Sequence, residues 1–206
     1  KRVKREQISH SVESRVLDCL VRRAPSHISV AFSGGVDSTA MLLAAKAVVR
    51  EHFPQLPLMA VHVNHGLQAQ SQAWARHAEE ICSALDVPLQ VHNVHVEQRG
   101  NIEANARSAR YVVFAESMAE NGLLLLGHHE QDQTETLLYR LFQGRGLLPM
   151  RHSGKLGVGR FERPLLAVQQ AELIAYVGAC NVAWIEDPSN ADVSFSRNFL
   201  RRDVIP

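Results

Sequence analysis

Apolar positions recur along the chain with two periods, and their alternation predicts the architecture. Ile8, Val12, Val16, Leu17 and Leu20 repeat at three- and four-residue intervals, which predicts a helix over 8–23. Residues 27–32 form a short β-rich run that Ser33-Gly34-Gly35 breaks. Residues 38–52 are rich in alanine and leucine, as suits a helix buried around most of its girth. A second strand is predicted over 58–63, bounded by Pro57 and Asn64. Residues 71–85 predict a helix with Ala73, Trp74, Ala78, Ile81 and Leu85 on its inner face. Pro88 then opens a strand over 89–94, a helix follows over 101–121, a strand over 123–126, and a helix from Glu130 to Phe142.

Short strands alternating with helices imply right-handed βαβ units and a parallel sheet covered on both faces. The pattern fails from Gly144 to Pro164, where five glycines suggest a mobile loop. A short helix is predicted over 171–179, and 184–202 is polar and irregular. The resulting division is a nucleotide-binding domain over 1–145, then the mobile loop with a helical extension over 146–206.

Composition narrows the class. With 206 residues, 46% hydrophobic and 21% charged, the chain reads as globular. No apolar run approaches the roughly 18 residues of a membrane span. The basic start, Lys1-Arg2-Val3-Lys4-Arg5, lacks the apolar stretch of a secretion signal. Cys19, Cys82 and Cys180 lie too far apart for a metal knuckle or redox pair. A cytoplasmic protein with no membrane partner is expected. A chain without an initial methionine that stops at Ile205-Pro206 also reads as a fragment.

The net charge of +1 hides two basic stretches. One holds Arg15, Arg22 and Arg23, and the other runs from Arg140 to Arg163. They read either as a solvated surface or as a docking face for a polyanion.

The strongest chemical signal is the run from Ile28 to Thr39, a strand, two glycines and an immediate helix start. Ser33, Gly34, Gly35, Val36, Asp37, Ser38 and Thr39 would form an anion cradle of backbone N–H groups and hydroxyls. In a parallel sheet the loop falls at the carboxyl end of a strand, where ligands bind. A Walker A lysine is missing, as is the G-x-G-x-x-G fingerprint. Asp37 beside phosphate would be repulsive unless Mg²⁺ lay between them, so Asp37 is the candidate Mg²⁺ ligand. The plainer reading is a Gly-Gly turn with Asp37 as a helix cap.

Ser33-Gly34-Gly35-Val36-Asp37-Ser38 resembles the S-G-G-x-D-S loop of the N-type ATP pyrophosphatases. Further stretches narrow the resemblance: His62-Val63-Asn64-His65-Gly66-Leu67, the run from Glu103 to Tyr111, and Gly127-His128-His129 through Thr136. With Arg163-Pro164-Leu165-Leu166, Asp187-Pro188-Ser189-Asn190 and the run from Arg197 to Arg201, the chain resembles the tRNA(Ile)-lysidine synthetase family. Pro149 stands where that family is expected to carry glycine.

The resemblance implies an α/β, doubly wound, five-stranded parallel sheet of adenine nucleotide alpha hydrolase type, with a short helical or irregular C-terminal extension. It implies a ligase that uses ATP to adenylate the C2 oxygen of the wobble cytidine in a CAU-anticodon isoleucine tRNA. The amine of free L-lysine then displaces AMP and leaves lysidine. Long members carry further tRNA-binding domains, expected to lie outside this chain; a homodimer is one option for assembly.

The residues carry parts of this on their own. His128, Asp132 and Glu135 share one helical face at the end of a strand. These two carboxylates and a neutral imidazole suit binding a lysine ammonium and taking its proton, with His128 a catalytic candidate and His129 a lysine-binding one; either carboxylate could be the acceptor. Glu103, Arg107 and Arg110 share another face, either as an internal ion pair or with Arg107 on the phosphates. His62 and Asn64 end the second strand, a position that flanks the base and ribose of ATP, although Asn64 and His65 also read as a turn. A tRNA 2-thiolating enzyme and a non-catalytic adenine-nucleotide sensor are the rival readings.

Overall fold

The computed structural model describes residues 2–66, 71–97, 99–186 and 199–205, and of residues 2–10, 103, 201 and 202 the backbone alone. Leu67, Asp187 to Asn190, Arg197 and Asn198, and the Glu103 side chain therefore lie outside the described groups.

In chain order the elements are α1 (Arg2–Arg23), β1 (His27–Ala31), α2 (Val36–His52), β2 (Leu58–Asn64), α3 (Ser71–Ala84) and β3 (Leu89–Asn93). Then follow α4 (Ile102–Glu116), β4 (Gly122–Leu125), α5 (Glu130–Phe142), β5 (Ser153–Leu156), β6 (Gly159–Glu162) and α6 (Gln170–Cys180). A π-helical turn spans Leu200–Val204. Asn101 caps α4 by accepting from the Ala104 N–H at 3.0 Å. That bond fixes the helix start; Ser117 ends it, five residues short of the predicted strand. No helix among the described residues is long and apolar enough to cross a membrane.

The sheet runs β3-β2-β1-β4-β6-β5. All pairings are parallel except β5 with β6. The expected count of five parallel strands is corrected to six with one antiparallel edge. The difference lies within 144–164, where β5 and β6 form a hairpin across Gly157-Val158 and β6 pairs with β4. Each strand is four residues long, and Gly154, Gly157 and Gly159 interrupt the alternation, so no period of two is legible.

The run Leu123–Leu126 shows why the sheet needs cover on both faces. Leu123 and Leu125 enter a core with Val12, Val16, Ile28, Val30, Leu42 and Tyr176. Leu124 and Leu126 enter a second with Val61, Phe114 and Met118. Alternate side chains thus meet α1, α2 and α6 on one face and α4 on the other. α6 packs against α1, and the buried Tyr176 hydroxyl donates to Glu13 Oε1 at 2.7 Å. Residues 159–180 therefore share sheet and core with the strands before them.

The chain moves from β1 outward to β2 and β3, then returns through α4 to β4 on the other side of β1. The switch point of this doubly wound sheet lies between β1 and β4, and a crevice opens beyond their carboxyl ends.

Candidate active site

β1 delivers Ser33 to Ser38 into that crevice, and β4 delivers Gly127 to His129 beside them. Gly34 has φ +86°, and its carbonyl accepts from the Ile185 N–H at 2.8 Å. A side chain there would be strained and would press on Ile185. Ser38 Oγ accepts from Ser33 N at 3.1 Å and donates to Gly35 O at 3.0 Å; Thr39 Oγ1 also donates to Gly35 O at 3.0 Å. These two hydroxyls shape the loop from within. The first-turn N–H groups of α2 are then its outward donors, since a helix start leaves them unpaired within the helix.

Gly127 lies flat against that helix start. A Cβ on it would sit 2.7 Å from the Asp37 carbonyl oxygen and 3.2 Å from Ser38 N. Backbone cannot yield as a side chain does, so Gly127→Ala is expected to destabilise the protein by about 1–3 kcal/mol. Denaturant midpoints check this; an unchanged midpoint would show that the two strand ends are not in tight contact.

His129 joins the two loops. It is 1% exposed, and its Nδ1 accepts from Gln131 N at 3.2 Å while capping α5. The neutral ring therefore carries its proton on Nε2. That nitrogen lies 3.5 Å from Asp37 Oδ2 and 3.6 Å from Asp132 Oδ2. Asp132 completes the capping box by accepting from His129 N at 3.0 Å. Asp37 Oδ1 is buried with no hydrogen-bond partner. Glu135, on the next turn of α5, is fully buried. The structure thus gathers Asp37, His129 and Asp132, and sets Glu135 deeper than its helical face suggested.

A second cluster flanks this one. Arg163, just past β6, is 4% exposed and donates through Nε to His128 Nδ1 at 3.2 Å and through Nη2 to the Tyr111 hydroxyl at 2.8 Å. Arg107 Nη2 donates to the same hydroxyl at 3.4 Å, and its guanidinium sits 5.0 Å from the Tyr111 ring centroid. Burial lowers the pKa of Arg163, while the nearby Tyr111 opposes the shift. In the sequence Arg163 stands only as part of a basic stretch and of a family motif, and Tyr111 only as part of a motif, with no role for either at this site. The available signal for Tyr111 was its i,i+4 spacing from Arg107.

On β2, His62 is 5% exposed and its Nδ1 lies 2.9 Å from the Phe32 carbonyl. A carbonyl only accepts, so Nδ1 carries the proton and His62 ties β2 to the start of the loop. Asn64 accepts from Gly66 N at 3.0 Å and donates to Asn93 at 3.1 Å, which builds the turn that was the plainer reading. Burial, then Arg110, then His62 lower the His65 pKa from 6.5 to about 4, and burial also lowers His62. Between pH 6.5 and about 4 the unfolded chain takes up the His65 proton while the folded chain does not, so stability is lost as the pH drops from 6.5 to about 4. His65→Gln is expected to flatten this dependence in urea titrations at several pH values.

The two basic stretches meet around a cavity of about 390 Å³ between α1 and the hairpin. The buried Glu162 there forms ion pairs with Arg22 and Arg23 of the first stretch. The carboxylate cluster at the switch point is the better candidate for chemistry.

Residues 8–206 match the PP-loop domain family. The chain is 48% identical over 200 residues to a tRNA(Ile)-lysidine synthase of Pseudomonas aeruginosa, covering 95% of this chain and 45% of that protein. It is 40% identical over 186 residues to that of Coxiella burnetii, covering 88% of this chain and 41% of the relative. The chain thus spans less than half the length of these relatives. Among solved structures, the U34-tRNA thiolase NcsA of Methanococcus maripaludis, which carries a 4Fe-4S cluster, aligns with a TM-score of 0.72 at 16% identity. That alignment covers 89% of this chain and 67% of the thiolase. An NMN synthetase of Francisella tularensis aligns at 0.58 with 12% identity, covering 87% and 71% of the two chains. These likenesses show the shared fold.

Proposed function

The chain belongs to the PP-loop domain family, and on that premise we propose that it carries the catalytic centre of a tRNA(Ile)-lysidine synthase. In this reading ATP adenylates the wobble cytidine of a CAU-anticodon isoleucine tRNA, and L-lysine displaces AMP. One observation carries it. Asp37 of the glycine loop and Asp132 of α5 lie within 3.6 Å of one nitrogen of His129. The loop suited to phosphate and a carboxylate suited to an amine therefore belong to one site.

The role of each group follows from its place. The helix start after Gly35 binds the phosphates, and Ser33, Val36, Ser38 and Thr39 keep its shape. Asp37 fits a Mg²⁺ ligand because its buried Oδ1 has no partner in the protein. Mg²⁺ held there would offset the phosphate charge. His62 and Asn64 fix the β2 end against which adenine would rest. Arg107, half-tethered by Tyr111, would meet negative charge on the leaving AMP.

Lysine must lose a proton before it attacks. Asp132 is 15% exposed and Glu135 is fully buried, so Asp132 is the nearer acceptor for an amine arriving from solvent. Glu135 and His129 then shape its pocket, with His128 at the mouth.

The thiolase reading is weaker on the cysteines. Cys19 and Cys82 lie in the core, and burial pushes their thiols up to about 12 and 11. A thiolate nucleophile needs the opposite shift. Incubation with Mg²⁺-ATP and the unmodified tRNA separates the readings. AMP and pyrophosphate formed only with the RNA, together with L-lysine taken up into it, support the proposal. The same products with no lysine in the RNA would favour thiolation, and ATP bound without turnover and indifferent to RNA would favour the sensor.

A further inference from the structure

We infer that Arg163 is a positioning residue for this site, holding His128 in one tautomer and linking it through Tyr111 to Arg107. The catalytic consequence rests on the reaction proposed above; the tautomer does not.

Arginine has N–H donors and no acceptor, so any ring nitrogen bonded to it must supply a lone pair. Arg163 Nε donates to His128 Nδ1 at 3.2 Å. The neutral His128 ring therefore has its proton on Nε2 and offers an N–H from that nitrogen. Arg163 is itself held on every side. Nη1 donates to the Arg151 carbonyl at 2.5 Å and Nη2 to the Tyr111 hydroxyl at 2.8 Å. Its guanidinium carbon lies 4.6 Å from the Phe161 ring centroid, and its N–H donates to the His152 carbonyl at 2.8 Å.

This arrangement joins three elements distant in sequence. His128 follows β4, Tyr111 lies on α4 and Arg163 ends the hairpin that packs beside β4. Tyr111 is wedged edge-on between Phe114 and Phe161, which keeps its hydroxyl in place as the shared acceptor of Arg163 and Arg107. Arg107 is exposed and Arg163 is buried, so the buried guanidinium orders the exposed one through the phenol. A lysine at 163 would keep the charge but could not span His128, Tyr111 and Arg151 at once.

The test reads the ring first. In protein labelled with ¹⁵N-histidine, His128 is expected to show an unprotonated Nδ1 and a protonated Nε2, with no substrate present. A proton on Nδ1 in the wild-type protein would overturn the inference whatever the reaction proves to be. Arg163→Lys is expected to mix the tautomers and to lower kcat for RNA-dependent AMP formation by about 10²-fold with KM for ATP within about twofold. Tyr111→Phe keeps the aromatic packing, and is expected to preserve the His128 tautomer while lowering kcat by about tenfold. It remains informative should Arg163→Lys fail to fold. Wild-type kcat in Tyr111→Phe would overturn the link to Arg107, and wild-type tautomer and kcat in a folded Arg163→Lys would overturn the role of Arg163.

Discussion

Asp37→Asn is expected to lower RNA-dependent AMP formation by about 10²- to 10³-fold while the protein stays folded. The side chain sits in the first turn of α2, where a carboxylate gains about 0.3–1 kcal/mol from the helix dipole. Loss of that term is small beside the stability of a domain. The loop is shaped by Ser38, Thr39 and backbone bonds that do not involve Asp37, so its geometry survives the change. What asparagine removes is the negative charge on a buried oxygen that the protein leaves unpartnered. Product chromatography with denaturant midpoints separates the cases. Full AMP production by the variant would remove Asp37 from the chemistry, and a collapsed midpoint would make it a structural residue.

Asp132→Asn is the second large effect. Alanine there would also strip the α5 cap, because the Asp132 carboxylate accepts the His129 N–H. Asparagine retains an acceptor oxygen for that bond and removes only the base. Cytidine adenylation is expected to continue, with lysine transfer slowed by about 10²- to 10⁴-fold and adenylated RNA accumulating. Glu135→Gln is the control for the deeper carboxylate. Accumulation in that variant alone would move the proton acceptor to Glu135, and equal loss of both steps in Asp132→Asn would point to substrate binding.

Much of this site was legible because its pieces are contiguous in sequence. The glycine loop and α5, predicted and found from Glu130 to Phe142, each carry their chemistry within about ten residues. The hairpin β5–β6 was not legible, since two four-residue strands broken by glycines resemble a loop. Its consequence was hidden with it. Only the pairing of β6 with β4 brings Arg163 to Tyr111, 52 residues away in the chain. His129 shows another limit: sequence set it beside lysine, and gave no sign of its burial or of its place in the α5 cap next to two carboxylates. No local pattern distinguishes a histidine that touches a ligand from one that holds its neighbours.

The most direct test of the central claim is the nucleoside made at the wobble position. The chain would be incubated with Mg²⁺-ATP, isotopically labelled L-lysine and an unmodified CAU-anticodon isoleucine tRNA, and the RNA digested for mass spectrometry. The account predicts loss of the wobble cytidine, a labelled cytidine–lysine adduct in its place, and AMP and pyrophosphate in equal amounts with the adduct. Hydrolysis of ATP to ADP, or AMP released at the same rate without RNA or lysine and with no adduct formed, would contradict it.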